Sequence, residues 1–492
     1  MKRYRLYIMA CWLTAWAMTL VGCSADALPE DTGGGKGGAV NAECYINLQI
    51  VGNSQAKTRA TFSDQATAAE NAVYDGILCV FEGATESTAT LKTAVAIDQL
   101  INNPGSTANS QSLNITQRLA DGTRNYSNNL YVLALLNTTS TGFSIGGTNK
   151  NELYFNGSSK KNNTISQIQA LTINSVGSTD KHVGLFMSNA PQSGYIMPEV
   201  NTDLTTGYLF DTEAAAAKAS NRRLTINVER AAARVKVTNA ASNVTSFSLD
   251  GDNTRHATVH KMTWALHNYN TQCYAIRNGS TAADNWATSI TGTGIPISFV
   301  NTGTDAFDLY QQHSYKDGDE VYIAENTTIT ANDQTQVFVE VQLKEGSFLL
   351  GDCYRYNFGE TTIFFTSAAK FIQYCKTEWT STFARWNSEH LRSKSAEEIF
   401  KYPSLSINAN GSVTVTLTND SFNTDEKNAL AGLSNTLSGT LRGYRDGKMY
   451  FHYKINHDAT HGVGVVRNNA YNLTFTNVPG IGDPVPTPII NN

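Results

Sequence analysis

The stretch Glu43-Cys44-Tyr45-Ile46-Asn47-Leu48-Gln49-Ile50-Val51 alternates: Cys44, Ile46, Leu48 and Ile50 are apolar, with Tyr45, Asn47 and Gln49 between them. Successive strand side chains point to opposite faces, so this period of two predicts a half-buried β-strand. The same alternation returns at Val337-Val339-Val341-Leu343, at Val413-Val415-Leu417 and at Tyr471-Leu473-Phe475. Tyr74 to Phe81 and the nearly all-apolar Leu130 to Leu136 read as buried strands, and Leu224 to Val237 has strand character. Helical signals are few and short. Ser63-Asp64 are placed to cap a helix through Asn71, and Glu213 to Ala219 is an alanine-rich turn. Phe383 to Phe400 offers Phe383, Trp386, His390 and Leu391 as an apolar helix face, and Asp425 to Leu433 reads as a second short helix. There is no internal repeat. The pattern predicts an all-β chain of two β-sandwich domains with small helical insertions.

The chain has 492 residues, 41% hydrophobic and 16% charged, with a net charge of −5. That length fits two domains behind an export segment, and that charge leaves no footprint for nucleic acid. Lys2, Arg3 and Arg5 precede an apolar run from Leu6 to Leu20, too short for a membrane span and of the form of a secretion signal. Leu20-Val21-Gly22-Cys23 follows, similar to the lipobox of bacterial lipoproteins, which implies cleavage before Cys23 and lipid attachment to it. The expected organisation is a signal peptide over 1–22 and a tether over 23–42, glycine-rich at Gly33 to Gly38. An N-terminal domain over 43–223 and a C-terminal domain over 224–480 follow, and 481–492 form a proline-containing tail. The mature chain is then anchored to a membrane rather than threaded through it.

Chemistry is sparse. Gly142-Phe143-Ser144-Ile145-Gly146 has the spacing of a serine-hydrolase elbow, but Asn137 to Thr141 separate it from the preceding strand and glycines follow it, so it reads as a loop. Asp250, Asp252 and Asn253 begin like a calcium loop yet lack its central glycine and late glutamate. Asp317-Gly318-Asp319-Glu320 reads as a turn. His256 and His260 are evenly spaced on an expected strand, hence on one face, and two histidines alone make a weak metal site. His452, His457 and His461 flank a hairpin-like turn. Cys44, Cys79, Cys273, Cys353 and Cys375 contain no CxxC pair; a Cys353–Cys375 disulfide and buried free thiols both fit. No metal, cofactor or reaction is indicated, and the chain is expected not to be an enzyme.

Four landmarks in order resemble the type V fimbrillins, the Mfa-like and FimA-like pilins of Bacteroidetes. They are the lipobox with the first strand and a loop carrying Arg59; Tyr74-Asp75-Gly76-Ile77-Leu78-Cys79-Val80-Phe81; Val228-Glu229-Arg230-Ala231-Ala232-Ala233-Arg234; and Tyr450-Phe451-His452-Tyr453 with Gly464-Val465-Val466-Arg467-Asn468-Asn469-Ala470-Tyr471-Asn472-Leu473. The resemblance implies two transthyretin-like β-sandwich domains, export to the cell surface as an outer-membrane lipoprotein, and assembly into a fimbria. It also implies that an arginine-specific surface protease cuts between Arg59 and Ala60. The segment 43–59 is then a propeptide, and the strand carrying Cys44, Ile46, Leu48 and Ile50 is displaced, leaving a groove for a donor strand from another subunit.

In shaft subunits of that family a further extended segment acts as donor. Here Pro479, Pro484, Pro486 and Pro488 punctuate the tail, and proline cannot donate to a ladder, so a tip position with an adhesive role toward a host or bacterial surface ligand is expected. The competing reading is a monomeric surface lipoprotein that binds glycan or host protein, for which 22 tyrosines, 20 phenylalanines and 6 tryptophans offer contacts.

Overall fold

The computed structural model describes residues 44–486 apart from 53–66, 98–111, 120–127, 180–182, 193–194, 204–205, 271, 278–313, 328–333, 382, 384–388 and 458–463. The chain divides by its contacts into Met1–Val40 and Asn41–Asn492, and the described residues all belong to the second unit.

Strands dominate. The first sheet has nine strands among the described residues: β1 (Tyr45–Gly52), β2 (Gly76–Gly83), β3 (Thr90–Ala96), β4 (Ser112–Arg118), β5 (Asn129–Leu136), β6 (Met187–Asn189), β7 (Glu199–Val200), β8 (Leu209–Phe210) and β9 (Leu224–Arg230). β4 runs along one side of β1, while β8 and β9 share the other; β6, β5, β2 and β3 follow from β9, and β7 pairs with β5. The continuous apolar runs of β2 and β5 have a plain cause, since both faces are covered. Leu78, Val80, Leu130, Val132 and Ala134 cluster with Ile46, Leu48, Ile50, Ile115, Ile226 and Val228. That cluster draws on nearly every strand of the one sheet, so the sheet curls around its own apolar face. Ile77, Cys79, Phe81, Leu133 and Leu135 on the opposite face pack against the hairpin Phe143–Gly146/Glu152–Phe155 and helix α1 (Ile165–Gln169). Helix α2 (Glu213–Lys218) begins at an N-cap Thr212 whose side chain accepts from the Ala215 N–H.

The segment Leu224 to Val237, read as having strand character, forms two strands. β9 ends at Arg230, the chain turns at Ala231, and β10 (Ala232–Asn239) enters a different sheet. β11 (Ala257–His267), β12 (Glu320–Ala324) and β13 (Gln336–Glu345) come next. An α/β insertion then supplies β14 (Cys353–Phe358), β15 (Thr361–Phe365), α3 (Ala368–Thr377), α4 (Ala396–Ile399), β16 (Tyr402–Ile407), β17 (Val413–Thr418), α5 (Thr424–Thr440) and β18 (Leu441–Tyr444). β19 (Lys448–Lys454) and β20 (Ala470–Phe475) close the chain. β10 pairs antiparallel with β12 and parallel with β20. β13 is flanked antiparallel by β11 and β19. Val235, Val237 and Tyr471 from the first of these sheets meet Trp264, Leu266, Val341 and Leu343 from the second in one core, the packing of a β-sandwich.

The insertion has a core of its own, rich in aromatics: Tyr354, Tyr356, Phe365, Phe371, Trp379, Phe383 and Phe400 with Leu430, Leu433 and Leu437. Its helices differ from expectation. The main early helix is Ala368–Thr377, capped by Ser367, and not Phe383–Phe400; Phe383 and Leu391 are buried, His390 is exposed, and Trp386 lies outside the described residues. α5 runs seven residues past Leu433. Its start is fixed by the reciprocal capping pair Asn423 and Glu426. Its extension is fixed by packing: Ser434 and Ser438 accept the Leu417 and Val415 N–H groups of β17 at 3.0 and 2.9 Å, bonds that outweigh the weak helix propensity of the Ser-Asn-Thr-Leu-Ser-Gly-Thr run. The expected helix from Ser63 reaches the described residues only as a turn over Thr67–Asn71.

Candidate functional site

β1 sits inside its sheet, not at the edge. Tyr45 to Val51 pair antiparallel with Arg118 to Ser112 of β4. On the other side Tyr45 and Ile46 pair with Phe210 and Leu209, and Leu48 to Gly52 pair parallel with Leu224 to Val228. The alternation read from sequence is the burial observed: Cys44, Ile46, Leu48 and Ile50 are at most 2% exposed. The opposite face carries one buried polar group. The Asn47 side-chain amide donates to the Ala216 and Ala219 carbonyls at 3.0 and 2.9 Å, tying β1 to the C-terminal end of α2. Burial of Ile46, Leu48 and Ile50 stabilises by about 1.5–3 kcal/mol each. Removal of β1 therefore opens a slot lined by apolar side chains and flanked by two unpaired backbone edges, β4 and β9. Cys23, Glu43, Arg59 and Ala60 lie outside the described residues.

The fourth landmark acquires a structural role. Arg467 is fully buried; its Nε and Nη2 donate to Glu325 Oε2 and Oε1 at 2.9 and 2.6 Å, and Nη2 also donates to the Tyr274 carbonyl at 2.7 Å. Burial disfavours the Arg467 charge, yet the Glu325 carboxylate outweighs this and holds the guanidinium protonated. Next to it, Asn468 Oδ1 accepts the Arg230 N–H, the Asn468 N–H donates to the Ala232 carbonyl, and the Arg234 N–H donates to the Asn469 carbonyl. The third and fourth landmarks thus lock together where the chain passes from β9 to β10. Glu229 with Arg277, and Glu70 with Arg234, add buried ion pairs nearby. The sequence landmarks hold Arg234 and Arg467 but neither of their acids, Glu70 and Glu325.

The rejected motifs can now be placed. Phe143–Gly146 is not a loop but a short hairpin strand paired with Glu152–Phe155; Ser144 on it is exposed, and no helix leaves it. His256 precedes β11, and His260 is the extra residue of a bulge between Val259 and Lys261, so even spacing does not put the two on one regular face. Asp250 is consumed by Arg255 and by Thr366. Gly318 takes a positive φ in the turn that sequence placed there, and the Lys316 N–H donates to Asp319. His457 is buried and its Nδ1 lies 2.9 Å from the Tyr471 hydroxyl; His461 lies outside the described residues. No cluster of three or more His, Cys, Asp or Glu suited to a metal occurs among the described residues.

Cys44, Cys79, Cys273, Cys353 and Cys375 are all buried, and no disulfide joins Cys353 to Cys375, which decides between the two sequence alternatives. Burial pushes the Cys273 and Cys353 thiols up to about 12, and Cys79 and Cys375 further, so these are packing groups rather than nucleophiles. No helix among the described residues is long and apolar enough to cross a membrane.

Residues 442–492, which include β19, β20 and the Arg467 turn, match the family described as major fimbrial subunit protein type IV, fimbrillin, C-terminal. No curated protein matches the chain. Solved structures that resemble it include a fimbrial assembly protein from Parabacteroides distasonis, at 11% identity and a TM-score of 0.31 over 62% of this chain and 85% of that one. A candidate cell adhesion protein from Bacteroides eggerthii resembles it at 13% identity and a TM-score of 0.32, over 64% and 79%. A second such protein from Parabacteroides distasonis does so at 11% and 0.33, over 65% and 82%. Residues 442–492, closing the chain with β19, the Arg467 turn and β20, thus carry the signature of a fimbrillin C-terminal region.

Proposed function

We propose that this chain is a fimbrillin, a structural and adhesive subunit of a cell-surface fimbria, exported as a lipoprotein through Cys23 and polymerised by strand exchange after cleavage between Arg59 and Ala60. The observation that carries the exchange is the seating of β1. It is the first described strand of the chain, its Ile46, Leu48 and Ile50 side chains are buried, and all three of its ladder partners come from later sequence. A cut between Arg59 and Ala60 separates the strand from every later element that the structure describes. The vacated slot then offers backbone pairing on two sides and apolar pockets to a strand from another subunit. The passage at Ala231, where β9 ends in one sheet and β10 begins another, supports a two-part organisation with its division at that residue rather than before Leu224.

The tip reading gains support from the tail. The Asp483 and Tyr450 backbones exchange two hydrogen bonds of 2.9 Å, and the Tyr444 hydroxyl donates to the Gly482 carbonyl at 2.8 Å. Val485 packs against the cluster of Ala265, Phe338 and Tyr450. A tail engaged with its own subunit is poorly placed to serve a neighbour.

N-terminal sequencing of surface-extracted protein, with a donor-peptide binding assay on the cleaved form, tests the proposal. Chains beginning at Ala60 that accept a shaft subunit's terminal peptide are expected. Chains that stay intact and monomeric on cells with active protease would overturn it in favour of a surface lipoprotein that binds glycan or host protein.

A further inference from the structure

Beside the insertion lies an open cleft of about 620 Å³, lined by Thr245, Phe247, Asn253, His256, Arg355 and Phe364 among others. Its size falls in the range of small-molecule sites. Arg355 is the unusual member. It is half-buried, its Nε is shut off from solvent, and it makes no hydrogen bond or ion pair with any described residue. A guanidinium in that state gives up hydration without compensation. It also stands directly across the β14–β18 ladder from Arg442, whose one hydrogen bond is to the Leu441 carbonyl. Like charges facing each other across a ladder cost stability.

The nearby carboxylates do not relieve the pair. Asp250 is held by Arg255 and Thr366, Asp252 by Thr254, and Asp352 accepts the Asp446 N–H. The rest of the lining suits a sugar. Phe247 is half-buried and presents an apolar surface to a pyranose C–H face, held from behind by the fully buried Phe364 at 5.2 Å and 55°. Thr362, Asn357, Ser246 and Ser248 offer neutral donors and acceptors for hydroxyl groups.

We infer that this cleft binds an acidic sugar, a uronate or a sialic-type residue, with its carboxylate on Arg355 and its ring against Phe247. A guanidinium fork matches a carboxylate bidentately, which an ammonium cannot do. The inference names the ligand class for the adhesive role proposed above and rests on that reading for its biological sense, though not for its geometry.

The test uses the full chain in mild detergent, titrated with glucuronate-terminated and sialylated oligosaccharides and with the same oligosaccharides after reduction of the carboxyl group, read by saturation-transfer NMR and calorimetry. Acidic forms are expected to bind at least about tenfold more tightly than reduced forms. Arg355→Gln should lose about tenfold or more, and Arg355→Lys several-fold, because charge is kept and the fork is lost. The melting temperature of Arg355→Gln should not fall, since the native side chain has no protein partner to lose. Equal binding of acidic and reduced sugars, unchanged affinity in Arg355→Gln, no saturation transfer, or preference for peptide carboxylates over sugars would each overturn the inference. Immunogold scoring of fibre incorporation reports separately on the fimbrial reading: sugar binding by a chain that never enters a fibre would sustain the cleft and sink the fimbria.

Discussion

Leu48→Ala separates a displaceable strand from an ordinary core strand. Leu48 is fully buried at the centre of β1, paired to Ile115 of β4 on one side and to Leu224 of β9 on the other. Truncations of this kind cost about 2–5 kcal/mol, more where the surroundings cannot collapse. Two flanking ladders hold the neighbouring backbones apart, so the upper half of that range, about 3–5 kcal/mol, is expected in the uncleaved precursor. Gln49→Ala, on the opposite, half-exposed side, is the control, with an expected cost under about 0.5 kcal/mol. Urea unfolding followed by circular dichroism measures both. The cleaved, donor-complemented subunit should be indifferent to Leu48→Ala, because the residue has left with β1. A precursor destabilised by less than about 1 kcal/mol, or a mature subunit that keeps the full deficit, would refute the reasoning.

Four further outcomes are expected. Cys23→Ala should abolish palmitate labelling and leave the chain unanchored; continued incorporation of label would count against the lipobox. Arg59→Ala should leave chains that retain β1 and fail to accept donor peptide, and normal polymerisation by that variant would move the cut elsewhere. Glu325→Gln strands the buried Arg467 guanidinium and should destabilise by about 3–5 kcal/mol in urea unfolding, whereas a cost near zero would mean Arg467 finds another partner. Stability should fall as pH rises from about 9 to about 12, because Cys273 and Cys353 keep their protons in the folded state over a range in which the unfolded chain releases them. The slope is about 1.4 kcal/mol per pH unit per thiol, and Cys273→Ser with Cys353→Ser should lower it, leaving the share carried by the buried Cys79 and Cys375 thiols.

The sequence made β1 legible because one of its faces is buried against the core and the other is not, the condition under which alternation survives. β4, its edge partner, was missed: Ser112-Leu113-Asn114-Ile115-Thr116-Gln117-Arg118 has only two apolar positions, too few for a period. The break at Ala231 was invisible because three consecutive alanines carry no turn signal, and the turn is held by the Asn468 and Asn469 contacts, beside which Arg467 is anchored by Glu325. Those contacts join residues 142 positions apart in the case of Arg467 and Glu325, a pairing that no local pattern encodes. The same holds for the acidic-sugar cleft, where Arg355 is one residue of an unremarkable strand until β15 and the 245–256 segment are laid beside it.

The pairing around β1 is mixed, antiparallel toward β4 and mostly parallel toward β9. A replacement strand entering in the reverse sense would exchange these relations, parallel toward β4 and antiparallel toward β9, and would find the same number of backbone partners. Parallel and antiparallel ladders differ little in stability per residue, so the seat is close to neutral about strand polarity. Orientation must then be dictated by side chains, through the match between alternate apolar residues and the pockets vacated by Ile46, Leu48 and Ile50. The growth direction of the fibre would be written in that short apolar rhythm, and a donor with a palindromic one would enter either way round.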